Sequence, residues 1–142
     1  MKFAIPIAPH GQMRPRFMSK GKFRKAYKDG KQEDREEKLL VFLKEHAPME
    51  PWTGNIKLFV KCYMQRPKNH FGTGKNAGKL KSWAPEWHTS KPDADNLLKM
   101  LKDCMNELFY VDDKQVCWTD MQKIYTAPGG RARWEVEITE IL

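Results

Sequence analysis

The chain has 142 residues, enough for one domain spanning 1–142 with its own core and too few for two. Its 40% apolar, 11% aromatic and 31% charged residues exclude a disordered tail, a collagen-like repeat and a coiled coil. Twenty-six Lys and Arg against 18 Asp and Glu give a net charge of +8, which suits a polyanionic partner and equally a charge that only keeps the protein soluble.

Residues 3–7 alternate Phe3, Ile5 and Ile7 with other side chains, which predicts a short strand stopped by Pro9 and Gly11. Residues 10–30 are basic and carry three glycines, so a loop is expected. Residues 31–46 are expected to be helical, with Leu39, Leu40 and Leu43 on one face and Glu33, Glu36 and Glu37 near the start, where the helix dipole favours acids. A second strand follows over 56–63, where Ile56, Leu58, Val60 and Cys62 alternate with Lys57, Phe59, Lys61 and Tyr63. Residues 66–91 lose all periodicity and form a basic loop insert with Phe71, Trp83 and Trp87 among its lysines. A loop of this length is usually functional or disordered, and lysines interleaved with aromatics suit a polynucleotide. A second helix is predicted from Pro92 to residue 109, on Leu97, Leu101, Cys104, Met105 and Leu108, with Asp93 or Asp95 as its N-cap. A turn at 110–113 leads to strands over 115–125 and 133–141, and Pro128-Gly129-Gly130 between them signals a hairpin. The order βαβαββ implies an α/β (α+β) fold, a mixed sheet covered by helices.

No apolar run approaches the roughly 20 residues of a membrane span, and the opening segment is too short for a signal sequence. A soluble, cytoplasmic protein without membrane contact is therefore expected. Cys62, Cys104 and Cys117 are odd in number and lie in apolar periodic segments, so all three are expected to be buried free thiols in a reducing compartment. The four histidines have no zinc-ligand spacing with one another or with the cysteines. Charge is unevenly spread. Basic residues dominate 1–31 and 66–91, whereas 93–120 carries Asp93, Asp95, Asp103, Glu107, Asp112, Asp113 and Asp120. A basic surface around an acidic centre suits a polyanion met by acids that hold a metal, although composition alone allows a charge that serves solubility only.

The most informative stretch is Lys91-Pro92-Asp93-Ala94-Asp95-Asn96. Two carboxylates two residues apart, where an extended segment turns into a helix, can converge on a hard cation such as magnesium. Lys99 follows Asp95 by four residues, on the same helix face, where an ammonium can offset charge on a phosphate oxygen. Helix caps and exposed turns also produce the pattern. Beyond the helix, Tyr110-Val111-Asp112-Asp113-Lys114-Gln115-Val116 adds acids just before a strand.

Together these residues resemble the RusA family of Holliday-junction resolvases, metal-dependent endodeoxyribonucleases of phages, prophages and bacteria. The family pattern is an aspartate pair and an asparagine, a lysine and a later aspartate on the same helix, and a D-D-x-Q-V segment. Here these are Asp93, Asp95, Asn96, Lys99, Asp103, and Asp112-Asp113 with Gln115 and Val116. The loop with Pro9, Arg14, Pro15 and Arg16, the insert from His70 to His88, and the C-terminal glycine pair with Ile138-Thr139-Glu140 are also similar to phage members.

The resemblance implies that Asp93, Asp95 and Asp113 bind Mg2+, with Mn2+ as a substitute, and that Lys99 stabilises the scissile phosphate. The metal would lower the pKa of a bound water that attacks the phosphate in line, with no covalent nucleophile and no small-molecule cofactor. It also implies a homodimer that cuts four-way DNA junctions by paired symmetric nicks. Arg14, Arg16, Lys75, Lys79 and Lys81 are the expected phosphate contacts of the basic loops. Asp112 is either a ligand or the cap of its turn, and Asp103 either supports a ligand or pairs with Lys99. Lys123 is either a phosphate contact or a solvated strand lysine, and His88 either touches DNA or is merely exposed. Two rival readings remain: a binding module whose acids only cap a helix, and a nuclease for other branched DNA.

Overall fold

The computed structural model describes residues 1–12, 16–20, 23–27 and 30–142, with side chains for 1–12 and 33–142. The main sheet has four strands: β1 (Lys2–Ile5), β4 (Asn55–Met64), β5 (Val116–Tyr125) and β6 (Arg133–Ile141), in the order β1-β6-β4-β5. β6 runs antiparallel to both β1 and β4, while β4 and β5 are parallel. A separate antiparallel pair, β2 (Arg16–Lys20) and β3 (Phe23–Tyr27), comes between β1 and helix α1 (Gly30–His46) in the chain. The second helix, α2 (Ala94–Met105), is the crossover between the parallel strands β4 and β5.

Burial follows the period-two alternation of β4. Ile56, Leu58, Val60 and Cys62 are fully buried, and Lys57, Phe59, Lys61 and Tyr63 on the opposite face are only half-buried. Both helices pack on the first face. Leu39 and Leu43 of α1, and Leu97, Met100, Leu101 and Met105 of α2, close the core with Ile5, Trp134, Val136 and Ile138. The other face of the sheet carries neither helix. On it Lys57 stacks 3.8 Å over Trp118, Arg133 stacks 3.8 Å over Tyr63, and Lys2 lies 3.8 Å from Glu137.

Three sequence expectations need correction. Residues 10–30 are not all loop, because β2 and β3 pair there; a surplus of lysine and arginine masks the alternation that Phe17, Phe23 and Tyr27 would otherwise show. Pro128-Gly129-Gly130 does form a tight turn. Gly130 N–H donates to the Ala127 carbonyl at 2.8 Å, and Gly129 adopts φ 77°, the left-handed geometry that favours glycine at this place. It does not close a hairpin, however, since β5 and β6 lie on opposite sides of β4. Turn chemistry is local, whereas pairing answers to burial. β6 buries Trp134, Val136 and Ile138 and takes an interior position; β5 has no buried residue and takes the edge, which leaves Cys117 exposed, against the expectation, while Cys62 and Cys104 are buried. Finally, α2 stops at Met105, short of residue 109. Glu107 turns to φ 66°, and the chain doubles back to bury Phe109 and Tyr110.

The insert over 66–91 is pinned by hydrogen bonds. Buried Arg66 donates through Nε to the Thr126 carbonyl and through Nη1 to the Pro85 carbonyl, each at 2.8 Å. Residues 86–88 lie along the end of β5, with Tyr125 N–H donating to the Glu86 carbonyl at 2.9 Å and His88 N–H to the Lys123 carbonyl at 3.1 Å.

Candidate active site

Helix α2 and the turn before β5 build an open cleft of about 210 Å³ lined by Asp95, Leu98, Lys99, Lys102, Asp103 and Asp113. The spacing explains the helical contribution. Positions 95, 99 and 102–103 recur every three or four residues and share one face, while Leu97, Met100, Leu101, Cys104 and Met105 point into the core. Asp95 and Asp103 are exposed and Asp113 is half-buried. Among the described residues Lys99 has neither hydrogen bond nor ion pair, so its ammonium is available to a ligand.

The D-D-x-Q-V segment divides its labour. Asp112 caps a short 3₁₀ turn (Asp113–Gln115): its carboxylate accepts from Lys114 N–H at 3.0 Å, and Gln115 Oε1 accepts from Asp112 N–H at 2.8 Å. The bond from Lys114 N–H holds the Asp112 carboxyl below the usual range. Gln115 Nε2 also donates to the carbonyls of Trp52 and Gly54, both at 2.9 Å, which ties the turn to the segment before β4. Asp113, the next residue along, is left to face the cleft. Of the two sequence readings of Asp112, its geometry is that of the cap.

Below the cleft, Tyr110 is fully buried and donates its hydroxyl to the Lys102 carbonyl at 2.8 Å. Burial pushes its pKa up, as do the nearby charges of Asp113 and Asp103, so it stays a neutral donor. Asp103 accepts from Gln12 Nε2 at 2.6 Å, and this is the bond that the structure gives it, in place of one to Lys99.

Asp93 is the N-cap residue of α2 but makes no side-chain capping bond, and its backbone carbonyl accepts from Leu97 N–H at 3.1 Å. It lies two residues ahead of Asp95 and outside the cleft lining. Among the described residues no three acids, imidazoles or thiolates stand close enough to hold a metal by themselves. The structure thus groups Asp95, Lys99 and Asp113 in one cleft and leaves Asp93 beside it.

Lys123 fits neither expectation. Its ammonium donates to the carbonyls of Ser90 (2.7 Å) and Pro92 (2.6 Å), strapping the entry to α2 onto β5 just before Asp93. His88 is half-buried against the Tyr125 ring, 4.9 Å between centroids, and burial and Lys123 lower its pKa. Lys75, Lys79 and Lys81 are exposed on the insert, Trp83 is 57% and Trp87 52% exposed, and Phe71 is half-buried. Arg14 lies outside the described residues; Arg16 opens β2, with its side chain outside them. Asn96, Gln12, Lys102 and Tyr110 complete the surroundings of the cleft. Of these, sequence reasoning singled out Asn96 alone; the position of Lys102 on the helix face of Asp95 and Lys99 was a signal that could have found it, whereas Gln12 and Tyr110 act on groups outside any periodic pattern.

No helix among the described residues is long and apolar enough to cross a membrane. Residues 6–139 match the family model of Endodeoxyribonuclease RusA. Over 132 residues, 93% of this chain and 82% of the relative, the sequence is 30% identical to the uncharacterized protein YqaN of Bacillus subtilis strain 168. Over 57 residues, 39% of this chain and 41% of the relative, it is 44% identical to the crossover junction endodeoxyribonuclease rusA of Lactococcus phage r1t. With a family-model match across nearly its whole length, the chain belongs to the RusA family of endodeoxyribonucleases.

Proposed function

We propose that the chain resolves four-way DNA junctions by hydrolysing a phosphodiester in each of two opposed strands, in the cytoplasm and as a homodimer. The observation that carries this reading is the Lys99 ammonium, unpaired among the described residues, standing with Asp95, Asp103 and Asp113 in one solvent-open cleft. RusA nucleases depend on a metal, and the donor set suits magnesium, with manganese as a substitute. Magnesium takes one or two carboxylates and completes its shell with waters and substrate phosphate. Asp95 and Asp113 would hold it, with Asp93 the third candidate ligand. When bound, the metal supplies a polarised phosphate and a water of lowered pKa.

The chain's own groups do the rest. The carboxylates serve as anions and take up no proton. Lys99 offsets charge that grows on the phosphate oxygens, Gln115 fixes the turn carrying Asp113, and Lys123 fixes the entry to α2. Arg14, Arg16, Lys75, Lys79 and Lys81 contact the phosphates of the junction arms. The homodimer reading is supported by the helix-free face of the sheet. There Lys2, Lys57, Lys61 and Arg133 are nearly balanced by Asp120, Glu135 and Glu137, in a chain whose net charge is +8. Such a face is poorly suited to DNA and well suited to a second copy of itself.

Nicking of a labelled four-way junction tests the reading. Wild type cuts with magnesium and stops with chelator, and Asp95→Asn and Asp113→Asn bind the junction but do not cut it. Asp93→Asn decides whether the third aspartate belongs to the set. Binding without nicking at any metal concentration would make the chain a binding module, and equal cutting of forks and flaps would widen the substrate to branched DNA at large.

A further inference from the structure

Just ahead of the basic β2–β3 hairpin, residues 11 and 12 are gripped by the active-site helix. Asn96 Oδ1 accepts from Gln12 N–H at 3.0 Å, and Asn96 Nδ2 donates to the Gln12 carbonyl at 3.1 Å. One carboxamide thus satisfies both backbone groups of one residue, as a neighbouring strand would. The approach leaves no room at Gly11, where a Cβ would sit 2.4 Å from Asn96 Nδ2 and 2.6 Å from its Cγ. From the clasped residue the Gln12 side chain reaches Asp103 on the cleft wall, at 2.6 Å. Three observations therefore meet on two residues: a two-point backbone clasp, a glycine that only its lack of a side chain permits, and a bond to a cleft acid. Four residues beyond Gln12, at most about 14 Å of extended chain, β2 begins with Arg16, and the hairpin sequence adds Lys20, Arg24 and Lys25.

We infer that Asn96, Gly11 and Gln12 form a positioning device that fixes the root of the basic hairpin to the acid cleft. DNA phosphates held by the hairpin are thereby placed relative to Asp95 and Lys99. Asn96 follows Asp95 directly, so the helix that carries the cleft also carries the clasp. Loss of the clasp leaves the cleft residues in place and frees the arm. This rests on the reading of the cleft as a nuclease site, and the test separates the two.

Without DNA, hydrogen exchange in Asn96→Ala and Gly11→Ala should speed at the Gln12 amide and through residues 16–27, while α2 and β4 keep wild-type protection. With a four-way junction in chelator, both variants should bind at least 10-fold more weakly and show a flatter dependence of log K on log salt, since each phosphate no longer held removes about one counterion from the slope. Gln12→Leu keeps the backbone clasp and loses only the bond to Asp103, so its affinity and salt slope should lie between those of wild type and Asn96→Ala. Unchanged exchange at Gln12 and the hairpin in folded Asn96→Ala overturns the clasp. Changed exchange with wild-type affinity and slope overturns its use in placing DNA. A variant that fails to fold is replaced by Asn96→Asp, which keeps the acceptor and loses the donor, and must show the same two effects in weaker form. If wild type itself binds no junction, the nuclease reading fails, and the exchange data still decide the clasp.

Discussion

An ammonium in a cleft of carboxylates serves either the ligand or its acidic neighbours, and Lys99 can be assigned between the two by rate. It has no ion pair among the described residues, so its charge is not already spent on Asp95 or Asp103. Lys99→Ala is expected to slow cleavage by roughly 10²–10³, the scale of one lost transition-state donor, with metal affinity little changed. Lys99→Arg should recover only part of the rate, because a planar fork replaces a compact ammonium. Single-turnover cleavage at saturating metal reads both. A wild-type rate in Lys99→Ala would make the lysine a surface cation only.

At the scale of elements, adjacent aspartates take different work from the turn that holds them. Asp112→Ala removes the cap and should lower the melting temperature while cleavage stays within a few-fold of wild type; Asp113→Asn should do the reverse. Gln115→Ala strands two part-buried carbonyls and should cost about 1–3 kcal/mol in denaturant unfolding. Parallel losses of rate in Asp112→Ala and Asp113→Asn would mean that both acids act in the cleft. The same elements show what a sequence exposes to reading. α2 and β4 are legible because their apolar positions repeat at about 3.6 and 2 residues, and the four-residue gap from Asp95 to Lys99 is enough to put them on one face. The β2–β3 pair is hidden because cations interrupt its alternation. β5 and β6 are legible as strands but not as separated ones, since a Pro-Gly-Gly turn reports the local bend and says nothing of the strand between its arms. The clasp of Asn96 on Gln12 spans 84 positions and leaves no spacing to find.

For the whole molecule, the proposed homodimer rests on the face of the sheet opposite the helices. It presents Trp118, half-exposed, over a groove of about 490 Å³ shared with Lys57, Phe59, Asp120 and Glu137. A chain with Lys57→Glu and Lys61→Glu should become a folded monomer in sedimentation without DNA, and so should one with Glu135→Lys and Glu137→Lys. Mixed together, the acidic and basic faces should restore the dimer mass. A dimer that survives both sets of changes would place the interface elsewhere, with the edge of β5 the first place to look.

The strap of residues 86–88 along β5 carries a consequence for the order of folding. The insert leaves the sheet after Met64, yet Arg66 bonds to a carbonyl that emerges 60 positions later, and Glu86 and His88 wait for the backbone of β5. The turn that presents Asp113 leads straight into that same strand. A ribosome that has delivered only the first 110 residues has therefore made a basic loop with nothing to lie on and a helix with half a cleft. Both are completed when β5 arrives, so the unfinished chain has no stage at which a settled loop coexists with an unfinished cleft.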